Sequence, residues 1–338
     1  MKKISTKSIV ALICIFASSQ FFYAQDYHLS QYDIAPIYMN PALAGMYLGE
    51  KGDFRIMSNY RSQWQQLQSK PYTTALIAFD KPIGRFGVGG YVIDNLAGLS
   101  NYNSFGCIVG GAYQITNDES KNHYLTTGVQ VGFMNVNYNT NDLLFSSQYF
   151  SDRGLDGNAP NGENFAKLNL LKPDINAGIY YKYRNTNQKF NPFAGFSINH
   201  INMPDQSTLG IPYRLPMRFN LNAGSDIQVN PSLKLQPSCL YMYQGGAAEL
   251  SLGVLAFYNL KNTNYELVSG LAYRLQDAIV LNIGIKEGGN TFRISYDIVT
   301  SPLQVYAGNR GAIEMGVIYT GTNKQYKEQV DKIDKFFN

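Results

Sequence analysis

The stretch that decides the fold is Ala278-Ile279-Val280-Leu281-Asn282-Ile283-Gly284-Ile285-Lys286, a break at Glu287-Gly288-Gly289, and then Asn290-Thr291-Phe292-Arg293-Ile294-Ser295-Tyr296-Asp297-Ile298-Val299. In the first run Ile279, Leu281, Ile283 and Ile285 share one face, while Ala278, Asn282, Gly284 and Lys286 share the other. In the second run Phe292, Ile294, Tyr296 and Ile298 alternate with Arg293, Ser295 and Asp297. Alternation of this kind puts successive side chains on opposite faces of a strand, and a short Gly-rich break joins two such runs as a hairpin. One face is apolar along its whole length and the other carries charge. Such a strand separates an apolar phase from a polar one.

The pattern recurs along the chain. Fourteen segments read as strands: 53–61, 71–79, 85–94, 101–115, 122–138, 173–184, 190–199, 214–227, 232–243, 247–259, 264–274, 277–286, 290–299 and 311–320. In 173–184, Ile175, Ala177, Ile179, Tyr181 and Tyr183 alternate with Asn176, Gly178, Tyr180, Lys182 and Arg184. The polar faces hold Gly, Ser, Asn, Arg, Asp and Glu, and Tyr and Phe collect near strand ends on the apolar faces. This is the pattern of lipid outside, a polar lumen inside and aromatic girdles at both interfaces. A soluble sandwich would carry more Lys and Glu on its wet face. Composition agrees, because only 15% of the 338 residues are charged while 14% are aromatic, against about 25% charged in a typical soluble domain. The aromatic and β-branched content excludes disorder. After the N-terminus no stretch supplies the roughly 20 apolar residues of a membrane helix. The expected fold is all-β, a transmembrane antiparallel β-barrel of about 14 strands with a short C-terminal amphipathic helix.

The flanks add a compartment. Lys2, Lys3 and Lys7 precede an apolar run over 9–17 and a c-region ending at Ala24, so 1–24 reads as a cleaved signal peptide of an integral outer-membrane protein. Its removal leaves 25 basic against 24 acidic residues, so the net charge of +4 gives little support to nucleic-acid binding. In 25–50, Pro36 and Pro41 break regular structure and Gly45 permits a tight turn. That segment reads as ordered but not a strand, plugging the lumen or lining its periplasmic mouth ahead of the barrel at 51–320. In the tail 321–338, Tyr326, Val330, Ile333 and Phe337 fall at helical spacing. The tail reads as a short helix capping the barrel mouth or lying on the membrane, or else as a periplasmic docking helix. Both termini of a bacterial barrel are expected on the periplasmic side, which makes connections after even strands short. The two long ones, 139–172 and 200–213, follow the fifth and seventh strands and fall on the outer side.

Chemistry is sparse. His28, His123 and His200 lack ligand spacing and an identifiable nucleophile. No catalytic residue, cofactor or metal is expected, and the chain does not read as an enzyme. His200, ending the seventh strand, reads as a loop-anchoring hydrogen bonder. Gly84-Arg85-Phe86-Gly87-Val88-Gly89-Gly90 lacks the helix that a phosphate loop requires, so its glycines mark crowding or a bend. Cys107 and Cys239 permit a disulfide but read better as small hydrophobes on strands. The inward charged set is Lys182, Arg184, Arg218, Asp226, Glu249, Glu266, Arg274, Arg293 and Asp297. Its near-balance of signs favours pairing across a plugged lumen over an ion-selective pore.

Several ordered motifs carry a resemblance. They are Ser30-Gln31-Tyr32, Asn40-Pro41-Ala42-Leu43-Ala44-Gly45, Tyr60-Arg61-Ser62-Gln63-Trp64 and Lys172-Pro173-Asp174-Ile175-Asn176-Ala177-Gly178. They continue with the run from Phe193-Ala194-Gly195 through Asn199-His200 to Met203-Pro204, and with Leu215-Pro216-Met217-Arg218. Together they resemble the PorP/SprF family of Bacteroidota outer-membrane proteins. The resemblance implies a non-enzymatic barrel tied to type IX secretion and gliding motility, which helps to export or anchor an adhesin-like surface protein through its C-terminal signal domain. Its expected partners are outer-membrane lipid, that secreted protein and other components of the secretion system, and not nucleic acid. The candidate partner-binding residues in the two long loops are Phe145, Tyr149, Phe150, Phe165, His200 and Pro204. The alternative is an outer-membrane channel for small or hydrophobic solutes.

Overall fold

The computed structural model describes residues 26–47, 52–65, 71–98, 102–116, 122–137, 145–152, 154–160, 169–207 and 213–321. Phe165, the expected leader at 1–24 and the expected helix of the tail beyond 321 lie outside them. Fourteen strands form the wall: β1 (Phe54–Gln63), β2 (Tyr72–Ile83), β3 (Phe86–Ala97), β4 (Tyr102–Gln114), β5 (His123–Asn137), β6 (Asn169–Tyr183), β7 (Phe190–Asn199), β8 (Arg218–Asn230), β9 (Leu233–Gln244), β10 (Ala247–Asn259), β11 (Tyr265–Arg274), β12 (Ala278–Glu287), β13 (Asn290–Val299) and β14 (Arg310–Gly321). Each pairs antiparallel with its neighbour in the chain, and β14 closes the barrel against β1, from Phe54 opposite Gly321 to Gln63 opposite Ala312. Closure pairs every strand on both sides, which removes the unsatisfied edge that lipid cannot tolerate.

The alternation sorts as its chemistry demands. Leu281, Ile283 and Ile285 are exposed on the outer surface of β12, while Ala278 and Val280 are buried inside. On β13, Arg293, Ser295 and Asp297 are buried in the lumen and Phe292 and Tyr296 face out. The glycine-rich stretch at 84–90 contains the β2–β3 turn, where Gly84 takes φ +62°. Cys107 and Cys239 are both free.

The connections after even strands are tight, so they define a short-turn rim; the long connections after β5 and β7 rise from the opposite, long-loop rim. Loop length identifies the long-loop rim as the extracellular one.

The lumen holds the chain's own residues 26–47. Pro36 starts α1 (Pro36–Met39), and Pro41 starts a 3-10 turn (Pro41–Leu43) whose first amide is capped by the Asn40 side chain. Proline suits the first helical position because the amide it lacks would have no partner there. Ile37, Tyr38, Ala42, Leu43 and Ala44 pack on Met57, Leu76, Ala78, Tyr91, Ile93 and Ile108 of β1–β4. Each large side chain so buried contributes about 1.5–3 kcal/mol.

The segment read as plugging the lumen or lining its periplasmic mouth runs through the lumen. Asp26 lies at the long-loop rim, beside His200, Arg218 and Gln244, and Gly45 lies near the short-turn rim beside Asp80. The described N-terminal segment therefore threads the whole lumen from the long-loop end before β1 begins. A period-free segment carries no sequence signal for the direction in which it runs.

Wall glycines make its seat. A Cβ on Gly87 would stand 2.0 Å from the Ala44 carbonyl oxygen, one on Gly128 2.3 Å from that of Pro41, and one on Gly178 2.1 Å from Asn40 Oδ1. These are backbone or fixed polar atoms that cannot give way. We therefore expect Gly128→Val to unseat the plug, raising protease cleavage within 26–47 while the barrel keeps its heat-modifiable gel mobility. Unchanged protection would contradict this account of the seat.

Candidate functional site

Three ionic stations tie the plug to the wall. At the centre, Glu314 on β14 is fully buried and accepts hydrogen bonds from the Ser30 and Gln31 amides at 2.8 Å each, from Asn59 Nδ2 at 2.9 Å and from Arg61 Nη1 at 3.0 Å. Arg61 also reaches Asp297 at 2.9 Å, and Arg274 meets the same carboxylate at 2.9 Å and pairs with Asp277. Ser30 Oγ donates to Asp297 at 2.8 Å. Arg293 reaches into the plug, holding Asp33 at 2.9 Å and Gln31 Oε1 at 3.0 Å.

At the short-turn end, Asp80 is buried, takes a bidentate pair from Arg55 at 2.9 and 2.5 Å, and accepts the Gly45 amide at 2.9 Å. The Arg55 guanidinium also lies 4.3 Å from the centre of the Tyr47 ring. Between these stations, Gln130 Nε2 donates to the Ile37 carbonyl at 2.9 Å, Ser197 Oγ donates to that of Met39 at 2.8 Å, and Asn40 Nδ2 donates to that of Ile179 at 3.0 Å.

At the long-loop rim, His200 stands between two carboxylates, with Nε2 2.6 Å from Asp26 and Nδ1 2.8 Å from Asp174; Arg218 adds a contact to Asp26 at 3.2 Å. Burial opposes the charge on His200, but Asp26 and Asp174 outweigh it and raise its pKa from 6.5 to about 9. Burial likewise works against ionised Asp26, and His200 and Arg218 overcome it, lowering its pKa to about 2.

The expected lumen charges take up definite partners. Lys182 pairs with Asp226 at 3.1 Å, Glu249 with His28 at 3.2 Å, and Lys286 approaches Glu266 at 3.9 Å. Arg184 lies just past the end of β6. Sequence reasoning missed Asp26, Asp33, Arg55, Arg61, Asp80, Asp174 and Glu314. Strand parity could have found Glu314, which alternates with Ile313 and Met315. Its partners come from β1 and the plug, more than 250 residues away, and no local signal carries that.

Two loop expectations need correction. His200 and Pro204 are buried, and His200 spends both ring nitrogens on the plug clamp, so neither side chain is presented to a partner. Tyr149 is 67% exposed, and Phe145 and Phe150 are partly so. They sit on a small knot formed by a 3-10 turn (Ser146–Gln148) and a ribbon pairing Tyr149–Phe150 with Gly154–Leu155. The buried Gln148 side chain ties the knot, accepting from the Phe145 amide at 3.0 Å and donating to the Ala159 carbonyl at 2.8 Å.

Beside the plug, a cavity of about 250 Å³ remains; Met39, Leu43, Phe193 and Leu255 line part of it, and charged Lys182, Arg55, Asp33 and Arg293 line the rest with several amides.

A family model described as type IX secretion system membrane protein PorP/SprF matches residues 21–319. No curated protein matches the chain by sequence. Among solved structures, the toluene transporter TbuX of Ralstonia pickettii superposes with a TM-score of 0.50 at 13% identity, covering 84% of this chain and 92% of that one. A deletion mutant of the monoaromatic hydrocarbon channel TodX gives 0.50 at 11% identity, covering 86% and 94%. The monoaromatic hydrocarbon channel CymD gives 0.50 at 11%, covering 86% and 93%. At these identities the likeness shows the fold alone.

Two outcomes follow from the electrostatics. Glu314→Gln deprives buried Arg61 of one of its two carboxylates, and leaving a buried charge under-compensated costs about 3–5 kcal/mol. Urea unfolding of the detergent-solubilised barrel should report a loss of that order, and a change within error would refute the role of Glu314. The rim clamp has a definite pH window. The raised pKa of His200 makes its contribution full below pH 6.5 and lost as pH rises through about 9, and that of Asp26 is lost only as pH falls through about 2. Hydrogen exchange at residues 26–30 should accelerate, beyond the intrinsic base-catalysed rate, between pH 6.5 and 10 in the wild type, and His200→Gln should abolish that excess.

Proposed function

The chain belongs to the PorP/SprF family of type IX secretion system membrane proteins, and we propose that it helps to export, or holds at the cell surface, a secreted adhesin-like protein through that protein's C-terminal signal domain. The barrel is an outer-membrane component of that system. It acts by binding and not by catalysis. The observation that carries this reading is the ion-paired plug: the barrel's polar interior is occupied by its own chain from one rim to the other. Asp80, His200, Asp297 and Glu314 are engaged in holding that plug. The rims are then the surfaces open to a partner, and the knot at 145–159 offers an exposed Tyr149 and Leu155 on a self-supported scaffold. Aromatic side chains presented on rigid supports are the groups that dominate interface energies.

A second reading, a channel for small or hydrophobic solutes, is favoured by one observation. The cavity of about 250 Å³ beside the plug presents more apolar than polar surface.

Deleting residues 145–165 should release the partner into the medium while the barrel still assembles, and unchanged surface retention would overturn the loop's part in anchoring. In planar bilayers the purified protein should be silent. A steady open conductance would favour the channel instead.

A further inference from the structure

The long-loop mouth contains a second kind of space, separate from the cavity near the short-turn end. It is a basin of about 320 Å³ whose floor is the plug at Tyr27 and His28 and whose wall comes from the long-loop ends of β1–β5 together with Gln206, Tyr213 and Leu215. A neighbouring hollow of about 370 Å³ shares His28, Gln63 and Trp64 with it. Both volumes fall in the range of about 300–1,000 Å³ usual for small-ligand sites.

Aromatic rings from Tyr27, Trp64, Tyr72 and Tyr102 and neutral polar groups from Gln63, Thr74, Asn95 and Gln206 make up most of its lining, with Ala97, Met134 and Leu215 between them. Trp64 is the single tryptophan of the chain. It stands where the backbone leaves β1 with φ +55°, a conformation that a bulky residue adopts only when its surroundings impose it. Its amide is fixed on the Gly311 carbonyl at 2.8 Å, and its ring packs edge-on against Tyr72 with centroids 5.1 Å apart. Asn95 Nδ2 is oriented by Thr74 Oγ1 at 2.8 Å, and Gln63 Oε1 by Arg61 Nε at 2.9 Å. Those bonds fix the amide planes and leave Asn95 Oδ1, Gln63 Nε2 and the Trp64 indole N–H without a partner among the described residues. Among the described lining residues the one carboxylate, Asp26, is neutralised by His200 and Arg218.

We propose that this basin binds a neutral oligosaccharide. A sugar ring has an apolar C–H face that stacks on the negative face of an aromatic ring. Its equatorial hydroxyls both donate and accept, matching amides that still have open positions. A hydrocarbon would fill the basin but strand those amides away from water. An ionic solute would find, among the described lining residues, no charge that is not already paired. An extended peptide would want a free strand edge, and the strands that form this wall are paired on both sides. The inference is independent of the secretion role.

Because Trp64 is the only tryptophan, indole emission from the full-length barrel in detergent reads this basin directly. Titration with maltohexaose, chitohexaose and mannohexaose should give a saturable shift with at least one of them. Asn95→Leu and Tyr102→Ala, checked for heat-modifiable mobility, should weaken that response at least tenfold. Silence with all three sugars, a response that survives both substitutions, or a response only to a Ser/Thr-rich peptide would overturn the proposal. The wild-type titration alone can do so if a variant fails to assemble.

Discussion

One carboxylate joins the parts of this molecule that nothing local connects. Glu314 sits on the last strand, is fully buried, and accepts hydrogen bonds from two plug amides and two side chains of the first strand. It therefore couples barrel closure to plug seating at one point. Taking such a charge out of water is tolerable only with donors already arranged around it. Ser30, Gln31, Asn59 and Arg61 supply them, and Asp297 and Arg274 extend the network with alternating sign. A plug that failed to enter would leave these groups facing an unfilled lumen, so the wall and the plug specify each other.

The arrangement also explains where function can reside. The plug meets the wall through hydrogen bonds at the centre and both ends and through apolar packing on β1–β4. Among the described residues, the clusters around Glu314, Asp80 and His200 are engaged in this seam, while Lys182 pairs with Asp226 and Lys286 with Glu266 within the wall. What stays open lies at the edges: the self-tied knot with Tyr149, the aromatic basin around Trp64, and the cavity near the opposite end. These three surfaces differ in chemistry, one presenting exposed rings, one rings with amides, one a mixture of apolar and charged side chains.

Much of this was legible before any coordinates. All fourteen expected strands are present, with ends within four residues of those read from alternation, because side chains on a pleated wall between lipid and lumen must alternate. The inward placement of Arg218, Arg274, Arg293 and Asp297 follows from the same parity. The motifs that carried the family resemblance turn out to share one location. Ser30-Gln31, Asn40-Pro41, Arg61, Asp174, Asn176, Gly178, Ser197, His200 and Arg218 all lie along the seam between plug and wall. Their spacing in sequence gave no hint of this, since each is short and none carries a period. His200 shows the limit well. As the end of a strand beside a long loop it read as a loop residue, yet the Asp26 that claims it stands 174 positions earlier.

By itself, then, the sequence determined the phase boundary: which faces meet lipid, which meet the lumen, how many strands there are and on which side the long loops lie. Those are local properties, set by the two-residue repeat of a strand and by turn residues. Only the tertiary structure decided what fills the lumen, the direction in which residues 26–47 run through it, and which charges pair. The reason is closure. Bringing β14 beside β1 places Glu314 next to Arg61 and makes the enclosed space into which the N-terminal segment fits, and neither fact exists until the ends of the chain meet.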